Sequence, residues 1–491
     1  MMLMRNLVLP LLCLAALLSG CATNPVTGDQ DLVFMSEQDE IQLGKQVQQQ
    51  VLQQYHVYND VELQNYVQYV GDKLAGKSHR PNLDYTFTVL DSDEVNAFAL
   101  PGGHVYITRG IMAYLNSEAQ LAAVLGHEIG HVTARHAVRQ QSASQLAGLG
   151  AALGAALIPG MSQYAGQQLT GMIGTALLRG YGREHELEAD RLGAQYLARS
   201  GYDPDAMLDV IRTLKSQEAF EVRLARAENR EPHVYHGLFA SHPDNDTRLK
   251  QVVASAEQYK TEKTTFIGST DYLRRIDGLT FGESTSNGII KDRNFYHGAM
   301  NFAMRFPQGW QIRNLPDRVM AVSPDNNAMI QLNALPADPG LTPQQFMADK
   351  LDIKSMSHGQ DLTVHGLPAH TATAPINTGN GQNLARVTVI YHDRTAFILA
   401  GITRNPRSLG GYDNDFLDTA RSFRPLTAAE QQLAVQNKHL RLIQAGQQTN
   451  YKDLAAGAPI DKFPEDQLRL LNGDYPRGQI RSGELLKTVE Q

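Results

Sequence analysis

The stretch His127-Glu128-Ile129-Gly130-His131 constrains this chain more than any other. On a helix, residues four apart sit roughly 40° from each other around the axis, so the two imidazoles share a face and can share one metal ion. Glu128 lies beside them, where a general base for an attacking water belongs. The flanks predict that the stretch is helical. Ser117-Glu118-Ala119-Gln120 reads as a capping box, and Leu121, Val124, Leu125, Ile129 and Val132 supply a helical apolar stripe. An unliganded His-Glu-His group on so apolar an element would be costly to bury. The motif therefore predicts a zinc site, with one Zn²⁺ per chain.

A catalytic zinc takes three protein ligands and keeps one position open, and a His₂Glu set draws its carboxylate from a second helix. Arg183-Glu184-His185-Glu186-Leu187-Glu188-Ala189-Asp190-Arg191 opens such a helix, which runs to about Arg199 and ends at Gly201. Spacing leaves Glu184, Glu186 and Glu188 open as donors. A metzincin pattern is excluded, because Ala134 stands where its glycine should be and Ala137 where its third histidine should be. His136 falls on roughly the opposite face of a continuous helix from His127 and is not read as a ligand.

HExxH followed by Glu186-Leu187-Glu188-Ala189-Asp190 resembles the zinc metalloprotease family of HtpX and the CAAX prenyl protease, peptidase family M forty-eight. The resemblance implies a mainly α zincin (gluzincin) protease domain with a small β-hairpin or sheet. It puts the third ligand on Glu186 and makes Asp190, one turn on, an acceptor that orients a zinc-bound histidine, expected to be His127. Glu184 and Glu188 are then read as a solvated face. Ser241-His242-Pro243 through Arg248 resembles a further element of that family. By that likeness His242 stabilises the oxyanion or occupies the open metal position in a latent state, with Arg248 as its structural ion-pair partner.

At 491 residues the chain has room for two or three domains, and a formal net charge of -7 without a basic stripe argues against a nucleic-acid partner. Residues 1–20 read as a signal peptide, with Arg5 ahead of an apolar run from Leu7 to Leu18. Leu18-Ser19-Gly20-Cys21 resembles a bacterial lipobox, so Cys21 is the expected site of lipidation. Residues 21–35 become a lipid-anchored tether, and Ala22 favours the outer membrane, giving a periplasmic protein on its inner leaflet. With Cys13 removed and Cys21 lipidated, the mature domains hold no thiol, which suits an oxidising compartment.

The protease domain is assigned to 36–262. Helices are expected from Ser36 to about Tyr55 and from Asp60 to about Gly76, with solvated glutamine-rich faces. Tyr85 to Leu90 alternates as a strand, and Val95 to Leu100 pairs with His104 to Thr108 around Pro101-Gly102-Gly103. An edge strand beside a protease site holds peptide backbone by β-augmentation, and Asn96 and Ala97 are the expected substrate-binding positions. The Gly/Ala/Gln-rich stretch between Gln140 and Gly182 reads as a helical hairpin or a flap.

Residues 263–291 read as a linker. Residues 292–427 form an α/β domain whose Phe306-Pro307-Gln308-Gly309-Trp310 turn resembles PsbP/Mog1-like domains. Residues 436–491 resemble a small βααβ LysM-like module, with Gln447-Gln448 in place of the usual Gly-Asp. The whole predicts a multidomain endopeptidase for misfolded or unassembled envelope proteins. The rival readings are a chaperone-like or scaffolding factor for the outer-membrane assembly machinery with a latent site, and an enzyme acting on peptidoglycan peptides.

Overall fold

The computed structural model describes residues 21–144, 181–228, 232, 257–315, 318–378 and 381–491. The expected signal peptide, the stretch from 145 to 180, His242 and Arg248 lie outside the described residues. The chain divides into two compact units. The first holds residues 1–52, 57–281 and 438–491, and the second holds 53–56 and 282–437. Among the described residues no helix is long and apolar enough to cross a membrane.

In the first unit, strands β1 (Cys21–Thr23) and β2 (Gln30–Leu32) form a small antiparallel pair. The expected lipid-anchored tether is therefore folded in part. Asn24 is buried, its amide oxygen takes the Val26 and Thr27 N–H groups, and its amide nitrogen donates to Asp31. Helices α1 (Glu37–Gln54) and α2 (Val61–Ala75) follow, the latter capped by Asp60. Strand β3 (Thr86–Leu90) runs parallel to β5 (His104–Thr108), and β4 (Ala97–Leu100) lies antiparallel on the other side of β5. The α2 glutamines are not a solvated face. Gln64 and Gln68 exchange hydrogen bonds with the backbone of Tyr85, Phe87 and Val89, so their amides occupy ladder positions along β3.

Helix α3 (Arg109–Tyr114) leads into α4 (Glu118–Thr133), the HExxH helix, whose residues are all buried. Ser117 accepts from the Gln120 N–H as expected of an N-cap. The Gln120 side chain takes the Asn116 N–H rather than returning to Ser117. Helix α5 (Arg183–Arg199) packs along α4, and α6 (Ala206–Ala227) packs against both.

The expected linker and C-terminal module both contribute to this first unit. Ser269–Arg275 is a helix whose Tyr272 is fully buried and donates to the Met112 carbonyl. Thr280–Phe281 adds a strand to the sheet made by Lys438–Gln444 and Leu485–Glu490. Two helices, Tyr451–Gly457 and Pro464–Leu471, connect those last two strands in a βααβ order. Leu440, Tyr451, Leu468, Leu471 and Val489 share one apolar core with Leu121, Leu125 and Ile129 of α4. The exposed face that an independent module would need is spent on this contact, which is why the boundaries differ from those expected.

The second unit is built on a seven-stranded antiparallel sheet. Its order runs Gln311–Leu315, Arg318–Val322, Ala328–Pro336, Thr395–Thr403, Gly381–His392, Leu367–Thr378, Ser357–Val364. Alternate residues of its central strands face two cores. Phe397 and Leu399 pack with Phe416 and Ala420 of the helix Leu409–Arg421, whereas Ala396 and Ile398 pack with Phe346 and Met347 of the helix Pro343–Asp349. Thr342 and Gln345 form a full capping box for the latter helix.

Candidate metal centre

Close approach of α4 and α5 builds the site, and glycines permit it. A Cβ on Gly130 would lie 2.9 Å from the Ala189 carbonyl oxygen, and one on Gly193 would lie 3.0 Å from the His127 nitrogen. This contact brings the acidic turn of α5 under the two motif histidines. His127 Nε2 and His131 Nε2 are 3.0 Å apart, and each lies 3.5 Å from a different oxygen of Glu186. These are the three residues among those described whose donor atoms converge as a metal-ligating group.

The donors fit a zinc ion. A tetrahedral ion about 2.0–2.1 Å from each donor sets the donors about 3.3–3.4 Å apart. The observed separations of 3.0 to 3.5 Å straddle that spacing. Glu186 is fully buried, and Glu128, next to His127 in the chain, is 1% exposed. Two buried imidazoles and a buried carboxylate form a donor set that a divalent cation would neutralise.

Spacing left three carboxylates open, and the structure separates them. Glu184 is exposed, Glu186 faces the histidines, and Glu188 turns towards His136 and Arg139. Asp190 Oδ1 lies 2.7 Å from His127 Nδ1. Burial opposes protonation of His127, but Asp190 and then Glu186 outweigh it and lift the imidazole to about 9 in the absence of a cation. A bound cation competes directly for that proton.

Glu188 is not on a solvated face. It is 18% exposed and lies 3.1 Å from His136 Nε2 and 2.9 Å from Arg139 Nη1. Burial alone would raise its carboxyl, but His136 and Arg139 hold it down to about 2. His136 itself is fully buried against His131, within the cluster rather than on the face opposite His127. The assumption that failed was a continuous helix. Helix α4 stops at Thr133, Arg135 takes φ 55°, and a second helical stretch begins at His136 and covers 136–144. A left-handed arginine costs about 1–2 kcal/mol. Arg135 holds it through charge-assisted bonds to Glu40 at 2.7 Å and through the Met35 carbonyl at 2.9 Å. Glu40 also binds Arg80, which donates to the Val132 carbonyl and so ties α1 to the end of α4.

Tyr181 was also not legible in advance. Its ring stacks on His131 with centroids 4.1 Å apart, and burial, then Glu128 and Glu186, push its phenol well above the usual range. No motif marks it. Strand β4, at the expected substrate strand, is an edge of its sheet among the described residues and packs on α4. Asn96 and Ala97 are both buried, and the Asn96 backbone is bonded to Thr108.

Comparison with known proteins agrees with this geometry. Residues 62–256 match the model of Peptidase family M48. The Beta-barrel assembly-enhancing protease of Escherichia coli (strain K12) is 28% identical over 384 residues, covering 74% of this chain and 75% of that protein. Mitochondrial metalloendopeptidase OMA1 of Arabidopsis thaliana is 33% identical over 131 residues, 26% of each chain. The solution structure of cyanobacterial PsbP from Synechocystis is 12% identical, with a TM-score of 0.22 over 30% of this chain and 98% of its own. That score is too low to assign a fold. The donor set sits inside the matched residues, so the chain carries a Peptidase family M48 domain and is a metalloendopeptidase.

Proposed function

We propose that the chain is a lipid-anchored periplasmic zinc endopeptidase that hydrolyses misfolded or unassembled envelope proteins. The observation that carries this reading is the convergence of His127, His131 and Glu186 beside Glu128. In this account the three donors hold Zn²⁺, which when bound supplies Lewis acidity at the scissile carbonyl and at the attacking water. Glu128 takes the water's proton during attack and delivers it to the leaving amine. Asp190 fixes the His127 ring and tautomer through the Nδ1 bond. Peptide backbone is held along the edge of β4 from Ala97, with the Asn96 side chain beside it, a mode that reads main chain more than side chains and suits unfolded substrates. His242 is assigned to the oxyanion or to a latent closed state, and Arg248 to its support.

The name of the Escherichia coli relative, a Beta-barrel assembly-enhancing protease, supports the substrate class. The Leu18-Ser19-Gly20-Cys21 sequence supports acylation at Cys21, and multiple acyl chains anchor stably where one does not. The test is cleavage of an unfolded outer-membrane β-barrel protein by the mature chain and by Glu128→Gln. Loss of cleavage by about 10²–10⁴-fold with zinc content unchanged is expected. Equal cleavage by both proteins would contradict the reading.

A further inference from the structure

His131 is held on its metal-facing side by the donor cluster, and its other ring nitrogen also has a partner. His131 Nδ1 lies 2.8 Å from His136 Nδ1. Two ring nitrogens at that distance share one proton, and the far end of the contact decides which ring carries it. His136 Nε2 lies 3.1 Å from Glu188 Oε2, and the same oxygen takes a bond from Arg139 at 2.9 Å. An ionised carboxylate only accepts, so a neutral His136 donates from Nε2 and presents a bare Nδ1. His131 must then donate from its Nδ1, which leaves the lone pair on Nε2 aimed at Glu186 and His127.

We propose that His136 is a positioning residue for the metal centre, which fixes His131 in its ligating tautomer through a relay from Glu188. The proposal rests on the metal-centre reading above. It gives the two motif histidines matching supports from one helix. His127 is set directly by Asp190, and His131 is set by Glu188 through an interposed imidazole. The interposed ring can reach His131 because the chain reverses at Arg135. Burial of His136 keeps water from substituting for it. Ring stacking of His136 on His185, with centroids 4.3 Å apart, holds its plane. A supported ligand histidine has a fixed ring orientation and greater basicity, and losing such support costs about 10–100-fold in metal affinity.

The experiment is zinc competition against a chromophoric chelator, using the full mature chain stripped of metal. Wild type is compared with His136→Leu, His136→Asn and Glu188→Ala. Leucine removes the acceptor and is expected to lose about 10–100-fold in affinity. Asparagine places an amide oxygen near the position of Nδ1 and is expected to recover most of that loss, which a purely space-filling role for His136 would not produce. Glu188→Ala cuts the far end of the relay at a partly exposed position, leaves the core closed, and is expected to weaken zinc in the same direction. Wild-type affinity in His136→Leu or Glu188→Ala, or equal loss in the leucine and asparagine variants, would overturn the proposal alone. Failure of wild type to bind zinc would overturn the metal-centre reading and the proposal with it.

Discussion

Asp190 Oδ1 and His127 Nδ1 are 2.7 Å apart, one helical turn beyond Glu186 on the helix that supplies it. One short segment of α5 thus provides a carboxylate to the metal-facing side of the pair and another to the back of a ligand ring. Replacing Asp190 with alanine leaves the three donors in place but lets the His127 ring turn and change tautomer. Zinc affinity is expected to fall by about 10–100-fold in calorimetric titration. An unchanged affinity would remove Asp190 from this role.

The helix contact that assembles the site leaves no space for a methyl group at Gly130. Alanine ordinarily gains about 1 kcal/mol over glycine in a helix interior. Here its Cβ would press on the Ala189 backbone, 2.9 Å from the carbonyl oxygen. Overpacking of that kind costs about 1–3 kcal/mol. Gly130→Ala is therefore expected to be net destabilised by about 1 kcal/mol in urea unfolding, and a more stable variant would contradict the packing argument.

Lys487, on the last strand of the C-terminal βααβ segment, links that segment to the turn ahead of α4. Its Nζ donates to the Ala113 and Leu115 carbonyls, each at 2.7 Å, and the side chain is fully buried. Burial lowers its ammonium well below the ordinary value. Between that lowered value and the unfolded value of about 10.4, the unfolded chain holds a proton that the native chain does not. Stability from this group therefore rises with pH across that window and is lost as pH falls through it. Unfolding of wild type and Lys487→Met at neutral pH and near pH 9.5 checks this. The difference should move in favour of wild type at the higher pH, and a constant or shrinking difference would contradict it.

Local order was legible where the sequence repeats on the scale of a turn or a pleat. The caps at Asp60 and Ser117 and the alternation from Tyr85 to Leu90 announced their elements directly. The HExxH spacing placed two donors on one face, and the third was chosen by resemblance. Long-range contacts left no such trace. The parallel pairing of β3 with β5, the glutamine amides that complete the edge of β3, and the docking of 438–491 into the core of α4 join segments far apart in the chain. The left-handed turn at Arg135 was hidden because arginine does not mark such a conformation, and the roles of His136 and Glu188 were hidden with it.

The central claim is that His127, His131 and Glu186 hold one zinc ion. Zinc content of the purified mature chain, measured by mass spectrometry of the metal, tests it most directly when set beside Glu186→Ala and Glu184→Ala. Glu186 is fully buried at the donor cluster, whereas Glu184 is exposed one turn-edge away on the same helix. The account predicts about one zinc per chain in wild type and in Glu184→Ala, and little or none in Glu186→Ala. A full complement of zinc in Glu186→Ala, or none in well-folded wild type, would contradict it.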